Sequence, residues 1–302
     1  MILVGLFLSS ACSSASSEPL GDGLPVVVVT TGIWGNIVAN VACDGLAEIL
    51  VLVPDGADPH SYEPSLADRT ALEQASLVVA NGLGLEGPLE DVLAVVDSQD
   101  DPVFRFMDHI DPLSEAGSSG QGGSIDVGDP HAWFDPNRVL LASLDLAEEL
   151  VNRVALDPGE VADCLSAFRV ELEALDQEVM DLVETIPSSQ RRLVTNHDAL
   201  GYFAERYGFE IIGSVLAGSS SVAESNPAWL EELAQQIRAS GVRTIFVEEH
   251  HSATEARALA DRVGDVEVAS LYIGSLGPQG SGADTYVGLI RTVATIIANG
   301  LA

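Results

Sequence analysis

Three of the six histidines in this chain share one kind of local setting. His60 lies in Asp58-Pro59-His60, His131 in Asp129-Pro130-His131, and His197 in Thr195-Asn196-His197-Asp198. An imidazole nitrogen is a good ligand for Zn²⁺, and a carboxylate beside it is the usual group that fixes its tautomer. Asp58, Asp129 and Asp198 are candidates for that supporting role. An isolated loop histidine is ordinarily a surface or capping residue. The repeated pattern leaves that reading and a shared metal site both open.

These residues need elements to position them. From Pro25 the chain alternates apolar, β-rich runs with helical ones: a strand of four valines, a helix over Gly35 to Glu48, a strand ending at Val53, a helix near Ser65 to Gln74, the run SLVVA and a helix from Glu86. After Pro187 the alternation restarts, with RLVT, a helix over Ala199 to Tyr207, EIIGSV, a helix over Pro227 to Ala239, TIFV, a helix over Ala253 to Val263, VEVAS and a closing helix from about Asp284 to Asn299. Such alternation predicts parallel sheets covered by helices. His60 and His197 each follow a strand, and the ends of buried strands are where α/β proteins keep their ligand contacts.

Between the two halves lie helices over Pro136 to about Ala155 and about Glu160 to Ile186. The second carries Val161, Leu165, Phe168, Leu172, Leu175, Val179 and Leu182 near helical spacing over roughly seven turns and reads as a rod. The expected fold is therefore α/β, with two (β/α) lobes of parallel sheets joined by a long rigid helix. The boundaries read as an export signal and tether over 1–23, an N-terminal lobe over 24–158, a connecting helix over 159–186 and a C-terminal lobe over 187–302. The Gly/Ser-rich segment 116–128 reads as a mobile surface loop.

Composition narrows the function. The 302 residues carry 46 acidic against 13 basic side chains, every basic one an Arg, for a formal charge of −33. That balance excludes a nucleic-acid binder; it attracts cations, and it equally fits a solvated surface suited to a salty habitat or shaped by genome composition. The opening MILVGLFLSSACSSASSEP is an apolar run closing on small residues and a cysteine, followed by a Ser-rich tether. It reads as an export signal and resembles a lipoprotein leader with Cys12 as the acylated residue. Beyond it no apolar run reaches the ~18 residues needed to span a bilayer. Cys43 and Cys164 each sit in a helical pattern and read as buried small hydrophobes rather than a disulfide.

The blocks LVPDGADPHSYEPS, DPHAWFDPNRV, TNHDALGYFAERYGFEIIG, NPAWLEELAQQIRASGVRTIFVEE and GADTYVGLIRTVA occur in that order over nearly the whole mature chain. Together they resemble the metal-binding subgroup of ABC-transporter solute-binding proteins, which serve zinc and manganese importers. The resemblance implies a monomeric, non-enzymatic binding protein outside the cytoplasmic membrane, in the periplasm or on the cell surface, that hands a divalent metal to a membrane permease. Carried over position by position, it implies His60 and His131 as ligands from the N-terminal lobe, and His197 and Asp284 from the C-terminal one. His109, His250 and His251 match no ligand position, and Glu248 is placed at the cleft wall. Trp133, Tyr62 and Tyr286 read as lobe-edge packing or as an apolar shell limiting water.

Three imidazoles and one carboxylate suit Zn²⁺, whereas Mn²⁺ prefers more oxygen ligands, so zinc is expected and manganese or iron is the alternative. The Gly/Ser segment lacks the histidines that many zinc members carry there. Three histidines on zinc with an open position is also a hydrolase arrangement, yet neither His-Glu-x-x-His nor Gly-x-Ser-x-Gly occurs. A surface adhesin is a third reading, resting only on the possible lipid anchor.

Overall fold

A computed structural model of the chain describes residues 23–43, 45–98, 103–114, 128–250 and 252–301. The leader with Cys12, residues 116–127 of the Gly/Ser segment, and His251 lie outside the described residues.

Strands β1 (Val26–Val29), β2 (Glu48–Val51), β3 (Leu77–Ala80) and β4 (Phe104–Arg105) pair in parallel in the order β2-β1-β3-β4. Strands β5 (Arg192–Thr195), β6 (Glu210–Ser214), β7 (Thr244–Glu248) and β8 (Glu267–Leu271) repeat that order as β6-β5-β7-β8, again all parallel. The apolar runs explain the central strands, since β3 and β7 are buried at every residue, as strands covered on both faces must be.

Helices α1 (Gly32–Ala42), α2 (Leu66–Gln74) and α3 (Glu90–Asp97) belong to the first sheet, and α6 (Gly201–Tyr207), α7 (Pro227–Ser240), α8 (Thr254–Val263) and α9 (Tyr286–Leu301) follow in the second half. Between them run α4 (Pro136–Asn152) and α5 (Pro158–Glu184). Three starts are set by one local device: Asp135, Asp157 and Asn226 accept hydrogen bonds from backbone N–H groups of the first turn, with Pro at the first helical position. The 27 residues of α5 make a rod of about 40 Å at the usual rise per residue.

That rod is bound on several sides. Its stripe of Val161, Phe168, Leu172, Leu175, Val179 and Val183 is buried, and it packs against α4, α1 and α9. One continuous apolar core joins Trp34 and Ile37 of α1, Leu146 of α4, Phe168 of α5, Phe203 of α6 and Leu289 of α9. Asp176, buried on α5, pairs with Arg206 through both carboxylate oxygens and accepts from the Tyr207 hydroxyl at 3.0 Å. Burial, and then the charge of Asp176, raise the pKa of that hydroxyl and keep it a donor.

Two expectations are corrected here. The first helix ends at Ala42 rather than Glu48, because Cys43 (φ 63°) and Gly45 (φ 89°) turn the chain and Glu48 pairs with Val26 to begin β2. Cys43 and Cys164 are not separate buried thiols: they form a disulfide with a Cα–Cα distance of 5.7 Å, tying the end of α1 to α5.

Candidate metal site

The two Asp-Pro-His motifs fold alike. Asp58 Oδ1 accepts from the His60 backbone N–H at 3.0 Å, and Asp129 Oδ1 accepts from that of His131 at 2.9 Å. Each aspartate thus caps its own tight turn, with Pro setting the backbone between the two residues. The turn bearing His60 follows β2, while His131 precedes a short 3₁₀ turn (Ala132–Phe134) that leads into α4. His197 stands two residues beyond the end of β5, a central strand of the second sheet.

These three loops meet. The rings of His60 and His131 lie 5.5 Å apart between centroids, those of His60 and His197 5.7 Å, and those of His131 and His197 5.2 Å. One nitrogen from each ring falls within 4.8 Å of one from each other ring, and this is the group of potential metal-binding side chains found among the described residues. All three are buried, with exposures of 8%, 1% and 1%. Clustering three imidazoles away from water is costly unless something shared lies between them.

Asp129 determines how His131 presents itself. Its Oδ1 lies 2.7 Å from His131 Nδ1, so Nδ1–H donates to the carboxylate and Nε2 keeps its lone pair. That Nε2 is buried and has no hydrogen-bond partner. A cation held by the other two rings would satisfy it. Behind this loop, Asn81 donates to the Pro130 carbonyl at 3.1 Å and accepts from Trp34 Nε1 at 2.8 Å. Glu86 accepts from the backbone N–H of Asn81 at 2.6 Å and from the Thr30 hydroxyl at 2.9 Å. Burial raises the Glu86 carboxyl to about 7.

Bonds between the halves fix the spacing. Asp58 Oδ2 accepts from Ser221 Oγ at 2.6 Å, Tyr202 donates to the Asp129 carbonyl at 2.8 Å, Trp133 Nε1 donates to the Ile273 carbonyl at 3.2 Å and Tyr286 donates to the Trp133 carbonyl at 2.8 Å. Trp133 and Tyr286 are thus buried beside the site, the Trp133 ring 5.1 Å from that of His131. Tyr62 is turned elsewhere and donates to Asp68 at 2.9 Å.

Asp284, implied as the fourth ligand, is not in the group of side chains whose ligand atoms all lie within 4.8 Å of one another. Its Oδ2 accepts from the Gly280 backbone N–H at 2.8 Å and so closes a turn ahead of α9. His109 is also apart, stacked on Phe104 with Nδ1 2.8 Å from Asp145. His250 is exposed and covers Gly56, where a Cβ would come within 3.1 Å of its ring.

A family model described as zinc-uptake complex component A, periplasmic, matches residues 27–300. The zinc-binding protein TroA of Treponema pallidum is 30% identical over 309 residues, covering 99% of this chain and 96% of that protein. The manganese-binding lipoprotein MntA of Halalkalibacterium halodurans is 28% identical, covering 100% of this chain and 97% of that protein. Among solved structures, the periplasmic zinc-binding protein TroA from Treponema pallidum superposes with a TM-score of 0.82 at 29% identity, over 93% of this chain and 100% of that one. A Mn-bound periplasmic metal-binding protein from Candidatus Liberibacter asiaticus gives 0.77 at 25% identity, over 92% of this chain and 100% of that one.

Proposed function

Since the chain belongs to the zinc-uptake complex component A family of periplasmic proteins, we propose that it captures Zn²⁺ outside the cytoplasmic membrane and passes it to an ABC importer. The family consists of metal-binding substrate-binding proteins and not of enzymes. In this reading His60, His131 and His197 hold the ion, which bridges an N-terminal lobe (24–158) and a C-terminal lobe (187–302) joined by a connector over 159–186. The observation that carries it is the buried convergence of three imidazoles on three separate loops.

Donor chemistry supports zinc within that role. Three neutral nitrogen donors are a common zinc set at about 2.0–2.1 Å, whereas manganese favours oxygen-rich sites. The named relatives are of both kinds, so manganese is the second reading. Delivery to a permease and a site of action in the periplasm or on the cell surface follow from the same membership. The Cys43–Cys164 disulfide supports an oxidising compartment. The formal net charge of −33 would raise the local concentration of any cation.

Metal content of the purified protein by mass spectrometry, followed by competition between Zn²⁺ and Mn²⁺, tests the choice. One zinc per chain that excess manganese fails to displace is expected. Manganese retained against zinc would overturn zinc as the cargo and leave the metal-binding role standing.

A further inference from the structure

His60 and His131 reach the site from different places, one on the turn after β2 and the other on the turn ahead of α4. Ligands brought together in this way work as a set only if their spacing is held to within about 0.5 Å. One stretch of chain touches both turns. It runs from Asn81 to Gly87 and follows β3 directly.

That stretch is wound tightly. Gly82 (φ 83°), Leu83 (φ 54°), Gly84 (φ 78°) and Gly87 (φ 46°) all take left-handed backbone, which a leucine adopts only where its surroundings impose it. Glu86, fully buried, supplies the constraint. Its Oε1 accepts from the Asn81 backbone N–H at 2.6 Å and from the Thr30 hydroxyl at 2.9 Å, and its Oε2 accepts from the Gly82 backbone N–H at 3.1 Å. One carboxyl therefore closes the turn on itself and ties it to the end of β1.

Two contacts leave this frame, one for each ligand turn. Asn81 Nδ2 donates to the carbonyl of Pro130, the residue before His131, at 3.1 Å, while Asn81 Oδ1 accepts from Trp34 Nε1 at 2.8 Å and so fixes which way the amide faces. On the other side Gly87 lies so close to the His60 carbonyl oxygen that a Cβ at 87 would run into it. Both contacts fall on backbone carbonyls. They place the turns and leave the imidazole nitrogens free.

We propose that Asn81, Glu86 and Gly87 are positioning residues of the metal site, a clamp that fixes His60 against His131 by holding the carbonyl of one and the carbonyl before the other. This rests on the reading of those two histidines as ligands. The three residues act on the ligand turns and not on the ion, with Glu86 working through the shape of the turn that carries Asn81 and Gly87. Displacing the chain at 87 should therefore move His60 relative to His131 without removing any donor atom.

The test sets Gly87→Ala against Gly84→Ala, with Asn81→Ala for the other arm of the clamp. Both glycines have positive φ, so either alanine strains the backbone, but a Cβ at 84 meets nothing within 4 Å. Zinc affinity is read by chelator competition, coordination geometry by the visible absorption of the Co²⁺-loaded protein, and folding by melting curves of the metal-free protein. Gly87→Ala and Asn81→Ala should each weaken zinc binding about tenfold or more and alter the Co²⁺ spectrum, as the loss of groups that orient ligands does. Gly84→Ala should melt lower yet stay within about threefold of wild type in affinity, with the wild-type spectrum. Wild-type affinity in Gly87→Ala or Asn81→Ala would overturn the proposal, as would an equal loss in Gly84→Ala or a loss that leaves the Co²⁺ spectrum unchanged. If Gly87→Ala does not fold, Asn81→Ala decides by the same two readouts. Wild-type zinc binding in His60→Ala or His131→Ala would instead contradict the underlying reading of the site.

Discussion

His131 Nδ1 and Asp129 Oδ1 lie 2.7 Å apart with both side chains buried, and the same oxygen accepts the His131 backbone N–H. One carboxylate therefore sets both the turn and the tautomer. Asp129→Asn keeps an acceptor for the turn and removes the charge behind the ring. Zinc affinity should fall by about 10- to 100-fold in competition titrations, as for other carboxylates behind ligand histidines. An unchanged affinity would mean that His131 does not bind metal through Nε2.

His109 provides the contrast. It stacks on Phe104 and bonds Asp145 on α4, apart from the three clustered rings. His109→Ala should leave zinc affinity within about twofold of wild type, because losses of tenfold or more are expected where a residue touches a ligand, and His109 touches none of the three. A comparable loss to that of the clustered histidines would count against the site.

The Cys43–Cys164 bridge should act on stability and not on binding. It joins the C-terminal end of α1 to α5, at the opposite end of the sheet from the strand ends that carry the histidines. The bridged residues are 121 apart in sequence, and closing a loop of that size stabilises by about 4–5 kcal/mol in the chain-entropy account. Calorimetry of Cys43→Ala/Cys164→Ala should show a melting point lower by on the order of 10 °C. Its zinc affinity should stay near wild type.

Glu86 makes a pH prediction. Burial raises its carboxyl from 4.5 to about 7 in the folded chain. The folded state then holds the proton more tightly than the unfolded state, so this group's contribution is most favourable below pH 4.5 and is lost as pH rises to about 7. The loss amounts to about 3 kcal/mol. Glu86→Gln cannot ionise, so wild type should lose stability relative to the variant across that window in denaturant titrations. A stability difference that does not change with pH would contradict the buried, proton-holding role.

Much of this was readable from residue order. Apolar runs between helical patterns located β1, β3, β5 and β7, and Asp-Pro or Asn-Pro pairs marked the starts of α4, α5 and α7 within two residues. The three histidines could be found because each sits in a tight turn or just past a strand. What residue order leaves out depends on where the chain goes afterwards. Asp-Thr-Tyr at 284–286 signals the start of α9, and the bond from the Gly280 N–H to Asp284 Oδ2 is a turn contact that residue order does not announce. The disulfide joins two helical segments whose contact is tertiary, and local patterning carries no trace of it. Glu248, placed at the cleft wall by the resemblance, is seen to stand beside His197 only once β5 and β7 are paired.

His60, His131 and His197 together should hold one metal ion. The measurement is competition titration of zinc into wild type and into His60→Ala, His131→Ala and His197→Ala. One zinc per wild-type chain is predicted, with each substitution weakening binding by about 100-fold or more, since each removes a ligand and not only its support. Wild-type affinity in any one of the three variants would contradict it.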